Sequence, residues 1–290
     1  MSLLITPDQW AAVRNSFREA SERFVQLATS VTDPQTTMAT AEWSVADTAA
    51  HLVTISRLYV SVVRTTDAPP VFPGIAAKIR ATTVDTVEAL NEAMLAQLPE
   101  RDLEALVRSL RSDVDQILAA AAVAGPAHLV EWLGGAKVPV AGLLAHFVNE
   151  LLIHGWDISR ATGAKWEMPP REAALFFEVF MLGMTRCGLG RLLDGGGSPR
   201  DRRIAVEFRS RCTSPVTLVL RNGVINVDEE GGAPDVHLWF DPPSLNLMLF
   251  GRISPARVVL TGKVIAWGRR PWLLPVFLRT VRTPNRRRTG

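Results

Sequence analysis

The sequence predicts an α+β protein of two domains, an all-helical one followed by a smaller mixed one. Three observations carry that reading. Over the first two thirds of the 290 residues, apolar side chains recur at three-to-four spacing between helix starts and stops. At Asp194-Gly195-Gly196-Gly197-Ser198-Pro199 this pattern meets a stretch of flexible and helix-ending residues. Beyond it, alternating runs and an Asn-Gly turn signal replace the helical periodicity. The expected division is a helical domain over 1–193, an α+β domain over 200–283 and a basic tail over 284–290.

Each element has a local reason. Thr6-Pro7-Asp8 reads as an N-cap with proline at the first helical position, and Trp10, Val13, Phe17, Phe24 and Leu27 follow at helical spacing. Ser44-Val45-Ala46-Asp47 forms a capping box that opens a second helix, with His51, Ile55, Leu58 and Val62 on one face before the Asp67-Ala68-Pro69-Pro70 stop. Residues 83–99 and 101–123 read as two further helices. Gly134-Gly135 and Pro139 lead into a helix ending near Thr162-Gly163, and another is expected from Pro170 to Leu189. After the linker, strands are expected at Ile204–Phe208 and Val236–Phe240 and around the Asn222-Gly223 hairpin. A helix after Asp241-Pro242, a short strand at Val258–Leu260 and a last helix from Pro271 to about Val281 complete the reading.

Composition narrows the function classes. With 47% hydrophobic and 21% charged residues, the chain has the balance of a globular protein and ample material for a core. No apolar run approaches the roughly 20 residues that cross a bilayer, and the first residues lack the features of a secretion signal, so a cytoplasmic protein is expected. Cys187 and Cys212 are too few for a disulfide framework and are read as reduced. The net charge of +3 is unevenly spread: after Asp241 there are nine arginines and Lys263 but no acid, which leaves residues 1–241 at −7. The Arg286-Arg287-Arg288 cluster lacks interleaved aromatics and reads as a solvated tail, not a nucleic-acid site.

The segment His146-Phe-Val-Asn-Glu150-Leu-Leu-Ile-His154-Gly-Trp-Asp157 is the most informative part of the chain. On a helix, His146, Glu150 and His154 share one face. Glu150 and His154, at i and i+4, can both reach one ion. His146 lies roughly 12 Å from His154 along the axis at 1.5 Å per residue, too far for all three to share it easily. A third ligand must come from another helix, and His51 on the inward stripe of the second helix is the candidate. Two imidazoles and a carboxylate with open positions suit a divalent metal. Spacing alone leaves the alternative of core histidines satisfied by their neighbours. His128 and His237 are read as structural.

Trp43-Ser44-Val45-Ala46-Asp47-Thr48-Ala49-Ala50-His51-Leu52, followed by Glu150-Leu151-Leu152-Ile153-His154-Gly155-Trp156-Asp157, resembles the mycothiol-dependent maleylpyruvate isomerase family, within the wider DinB-like four-helix metalloproteins. Residues 200–282 look like the sterol-carrier-type C-terminal domain of many members. The resemblance implies that His51, Glu150 and His154 bind zinc and that Asp157 acts beside them; Trp43 is similar to the tryptophan that opens the second-helix motif, with a packing role. The resemblance also implies an active-site arginine from the C-terminal domain, with Arg221 and Arg252 as candidates.

The function implied is a zinc enzyme that activates a low-molecular-weight thiol, mycothiol, for isomerisation of, or transfer to, a small electrophile. Asp157 would orient the thiol or move a proton, and the arginine would bind an acidic substrate. A metal-dependent hydrolase and a non-catalytic protein binding an apolar ligand are the alternatives. Neither nucleic acid nor an integral membrane association is expected.

Overall fold

A computed structural model describes residues 5–64, 71–194, 203–228 and 231–280. Most of the expected linker, from Gly195 on, and the basic tail lie outside these residues. The chain runs through α1 (Pro7–Thr29), α2 (Val45–Arg64), α3 (Ala76–Ala81), α4 (Val87–Leu95) and α5 (Leu103–Ala124). It continues through β1 (Leu129–Glu131), β2 (Lys137–Pro139), α6 (Val140–Thr162), α7 (Pro170–Leu175) and α8 (Leu182–Cys187). The second domain comprises β3 (Ile204–Arg209), β4 (Val216–Arg221), β5 (Val224–Val227), β6 (Val236–Phe240), α9 (Pro242–Leu249), α10 (Pro255–Leu260), β7 (Val264–Trp267) and α11 (Leu274–Thr280).

Four long helices form a bundle in which α1 packs on α5 and α6, and α2 on the same two. Their starts follow the sequence signals. The Thr6 side chain and Gln9 cap α1 reciprocally, with Pro7 at the first position. Ser44 and Asp47 do the same for α2: the Asp47 amide donates to Ser44 Oγ and the Ser44 amide to Asp47 Oδ2, each at 3.1 Å. Apolar stripes then close the core, with the Phe17 and Phe147 rings 5.2 Å apart and Tyr59 edge-on to Phe147 at 5.6 Å. The end of α6 is set by Gly163, whose φ of 75° is a left-handed cap that a side chain would strain.

In the second domain the strands lie in the order β5-β4-β3-β6-β7; β3 and β6 are parallel and every other pair is antiparallel. Asn222 (φ 51°) and Gly223 (φ 78°) make the expected tight turn between β4 and β5. One sheet face buries Val206, Phe208, Leu238 and Phe240 with Leu245, Val258 and Phe277 of the helices. No helix among the described residues is long and apolar enough to cross a membrane. Both cysteines are free thiols.

Several elements differ from expectation. Val258–Leu260, read as a strand from its β-branched residues, is the end of α10, because Ser254 Oγ accepts from the Arg257 amide and Pro255 starts a helix. The last strand is β7, paired with β6 through Phe240 opposite Val264. The helix expected over 83–99 is confined to α4, because the Val84 amide donates to the Leu192 carbonyl and holds the preceding residues in a turn. α3 and the β1–β2 hairpin are additional. The helix from Pro170 ends at Cys187 and is interrupted by a wide, π-helical turn at Phe176–Met181.

The turn at Phe176–Met181 couples the domains. Phe177 packs on Phe208 and Phe240 of the sheet at 5.1 and 5.2 Å, whereas Phe176 meets Phe250 at 5.5 Å. A buried polar contact reinforces the junction: Asn246 Nδ2 donates to Asn149 Oδ1 and to the Ala173 carbonyl, both at 2.9 Å.

Gly155, beside His154 on α6, shows how tightly that helix is enclosed. A Cβ there would stand 2.1 Å from the Trp166 ring, whose Nε1 donates to the Leu152 carbonyl at 3.0 Å. Gly155→Ala is expected to destabilise the protein by about 1–3 kcal/mol through overpacking. The melting temperature should drop by roughly 2–10 °C. An unchanged value in differential scanning calorimetry contradicts this packing.

Candidate metal centre

Three of the four residues singled out from the two helical motifs converge in the bundle. His51 from α2 and Glu150 and His154 from α6 offer one donor atom each, all within 4.8 Å of one another, and all three are buried. His51 Nε2 lies 3.7 Å and His154 Nε2 3.5 Å from the same oxygen, Glu150 Oε2. These gaps exceed the 2.7–2.9 Å of a charge-assisted hydrogen bond. They approach the donor-to-donor edge of roughly 3.3–3.5 Å that tetrahedral bonds of about 2.0–2.1 Å require. The His51 ring tests the fit independently. It is 2% exposed, its Nδ1 has no partner, and its Nε2 faces only the distant carboxylate. A cation at Nε2 would give this buried imidazole a close charged partner on that side, while Nδ1 would carry the proton and keep no acceptor.

The fourth residue, Asp157, sits behind His154. His154 Nδ1 is 3.2 Å from Asp157 Oδ2, so with Nδ1–H donating, Nε2 is the nitrogen left for a cation. Both Asp157 oxygens are also held by Arg252 of the second domain, Nε to Oδ1 at 3.0 Å and Nη2 to Oδ2 at 2.6 Å. Arg252 Nη1 donates to the Phe250 carbonyl at 2.8 Å. Of the two candidate arginines, Arg252 reaches the centre; Arg221 lies exposed at the hairpin turn and does not line the cavity.

Burial sets the electrostatics, and the neighbours then overrule it selectively. Desolvation alone would raise Glu150, yet His154, His51 and His146 hold its carboxyl well below the ordinary range. Asp157 is likewise lowered, by His154 and Arg252 against its burial. Burial lowers His51, while Asp157 and Glu150 outweigh burial and raise His154. The carboxylates therefore stay ionised at neutral pH.

His146 faces the other oxygen of the ligand carboxylate. Its Nε2 is 3.5 Å from Glu150 Oε1, and its Nδ1 lies 2.9 Å from the Tyr59 hydroxyl. Trp132 Nε1–H donates to the same hydroxyl at 3.2 Å, so the Tyr59 proton is free to go to His146. Burial and the Glu150 charge push Tyr59 well above its usual value, which keeps that proton in place. His146 Nδ1 thus accepts, and its Nε2–H points towards Glu150. Sequence reasoning missed this relay. The i, i+4, i+8 spacing of His51, Ile55 and Tyr59 could have shown that Tyr59 shares the inward stripe, but Trp132 precedes a short irregular turn with no periodic signal. Tyr59→Phe is expected to weaken metal affinity by about tenfold, at the lower end of outer-partner effects. An unaltered metal titration would contradict the relay.

Trp43 lies over the centre, its ring 4.6 Å from that of His51 and 6.0 Å from that of His154. A cavity of about 310 Å³ opens beside these residues and extends between the two domains. His128 and His237 lie away from it: His128 accepts the Val140 amide through its carbonyl, and His237 pairs with Glu207 and stacks on Trp267.

This combination defines a class: a helical bundle with an inward two-histidine, one-glutamate cluster, closed by an α+β domain that sends one arginine into the centre. Residues 17–159 match the family model described as the mycothiol maleylpyruvate isomerase N-terminal domain. The matched helical segment belongs to the mycothiol maleylpyruvate isomerase N-terminal domain family.

A crystal structure of mycothiol-dependent maleylpyruvate isomerase superposes over 89% of this chain and 92% of that one, with a TM-score of 0.50 at 13% identity. A histidine-to-alanine mutant of that enzyme gives the same coverage and TM-score at 14% identity. At this identity the likeness is one of fold. Sterol carrier protein 2 from Yarrowia lipolytica, in its apo form, covers 36% of this chain with a TM-score of 0.24, a superposition too loose to assign the second domain a family or a ligand. No curated protein sequence matches the chain.

Proposed function

We propose that the protein is a zinc-dependent enzyme that activates mycothiol for isomerisation of, or transfer to, a small electrophile. The observation that carries this reading is the spacing of His51 Nε2, Glu150 Oε2 and His154 Nε2, too wide for mutual hydrogen bonds and suited to one cation. A zinc ion held by these three groups would keep an open position in which a thiol loses its proton and becomes the nucleophilic thiolate.

The chain's own residues then have distinct tasks. Asp157 fixes the His154 ring by accepting from Nδ1; with both oxygens engaged, it is a positioning residue and not the carrier of a moving proton. His146, set by Tyr59, steadies Glu150. Trp43 covers the histidines and limits water. Arg252 ties the second domain to the centre. In the isomerase reaction the thiolate sulfur adds to an activated carbon–carbon double bond and the electron pair moves onto the activating carbonyl. Rotation about the new single bond comes next, and expulsion of the thiolate restores the double bond in the other geometry. Transfer would use the same addition, the enolate then taking a proton from water at carbon instead of expelling the thiolate.

The test is consumption of an electrophile by zinc-loaded protein with and without mycothiol. The expected result is turnover only with both; metal-dependent turnover without thiol would favour hydrolysis and overturn the reading. Removal of residues 284–290 is expected to leave the metal content unchanged by elemental analysis, since no proposed ligand lies there. Loss of metal from a folded truncation would show that the site extends into the tail.

A further inference from the structure

The chamber beside the metal centre has two chemically different parts. One is the centre itself, with His51, Glu150, His154 and Arg252. The other is an apolar wall formed by Phe176, Phe180 and Met184 of the helical domain and by Leu218, Ile225 and Phe250 of the second. All of these wall residues except Phe250 are buried, yet they line a cavity of about 310 Å³. Close-packed interiors hold few voids larger than a water molecule, so a space of this size is made for an occupant. Wall atoms that face a void lose their dispersion contacts, and a hydrocarbon filling it restores them.

The wall starts at the centre and crosses the domain junction. The Phe180 ring lies 4.8 Å from that of His146 and is stacked on Phe176 at 5.3 Å. The wide turn at Phe176–Met181 lets both rings line the chamber while Phe177 turns away to Phe208 and Phe240 of the sheet. Leu218 on β4 and Ile225 on β5 continue the wall in the second domain, where α8 packs against β5.

The polar part keeps capacity for a head group. A guanidinium has five N–H donors. Asp157 takes the one on Nε and one on Nη2, and the Phe250 carbonyl takes one on Nη1. One donor on each terminal nitrogen of Arg252 is left, beside the position that a bound cation would keep open.

We propose that the electrophile is amphipathic: an α,β-unsaturated carbonyl compound whose polar head meets the centre and whose hydrocarbon substituent, several carbons long, lies along the Phe176–Phe180 wall towards Leu218 and Ile225. A molecule polar throughout would leave that wall unfilled. The unsaturated carbonyl rests on the proposed thiol chemistry; the hydrocarbon body rests on the chamber alone.

The experiment is calorimetric titration of the full chain, zinc-loaded and without thiol, with monomethyl, monobutyl and monohexyl succinate. These share one head, differ only in chain length and have no double bond for a thiol to attack. Affinity should rise with each added methylene, by about two- to fourfold where the methylene is fully buried. Monohexyl succinate should therefore bind one site at least tenfold more tightly than the monomethyl ester, and a smaller ratio overturns the proposal. Ile225→Phe, which fills the chamber, and Phe250→Ala, which removes part of its wall at a half-buried position, should each lower that ratio several-fold. An unchanged ratio in either folded variant also overturns it. A preserved chain-length preference without thiol-dependent turnover of any electrophile leaves this proposal standing and removes the thiol reading. Thiol-dependent turnover without a chain-length preference does the reverse.

Discussion

His154→Ala should abolish stoichiometric zinc binding and, with it, thiol-dependent turnover. Zinc bound with about 10–16 kcal/mol by three or four groups assigns each roughly 3–4 kcal/mol, a loss in affinity on the order of 10²–10³-fold for one ligand. The effect at this position is compounded, because His154 also bridges Glu150 and Asp157. His51→Ala should match it in metal affinity while leaving the Asp157–Arg252 pair intact, since His51 has no hydrogen bond to either residue. The comparison separates ligand loss from disorder of the domain junction. Elemental analysis of folded variants reads it, and full zinc occupancy in either one contradicts the assignment.

Arg252→Ala is the change expected to cost most in stability. Asp157 is 4% exposed and its carboxylate is gripped bidentately from the other domain. Removing one partner of a buried pair typically costs about 3–5 kcal/mol, and here it leaves the Asp157 carboxylate to the His154 N–H. Arg252→Lys should recover only part of this, because an ammonium cannot reproduce the two parallel contacts. The sign of the pH dependence is set by the lowered Asp157 carboxyl. A carboxyl held below its unfolded value contributes stability that is fully present above about pH 4 and is lost as pH falls through the folded value. Wild type and Arg252→Ala should therefore differ at neutral pH and converge in strong acid. Denaturant melts across pH test this, and a difference that grows in acid would contradict it.

The caps and the α6 half of the centre were readable from sequence for the same reason: each rests on contacts between residues three or four apart. Ser44 with Asp47, and Glu150 with His154, lie within one turn, so a helix brings them together whatever surrounds it. The placement of His51 needed only the inward stripe of α2. Long-range constraints were not readable. The Val84 amide is claimed by the Leu192 carbonyl, more than 100 residues away, and this delays α4 in a way no local pattern records. Val258 and Val259 favour a strand locally, but the Ser254-Pro255 start and burial of Val258 under the sheet make them helical. Choosing between Arg221 and Arg252 depended on how two domains meet, and the Tyr59–Trp132–His146 relay on three separate segments.

The most direct measurement is electronic absorption of the cobalt-substituted protein during titration with mycothiol. The account predicts tetrahedral cobalt bands and a thiolate-to-cobalt charge-transfer band that saturates at one thiol per metal and is absent in His51→Ala. A folded protein that binds cobalt yet shows no such band at saturating thiol, or an undiminished band in His51→Ala, would contradict it.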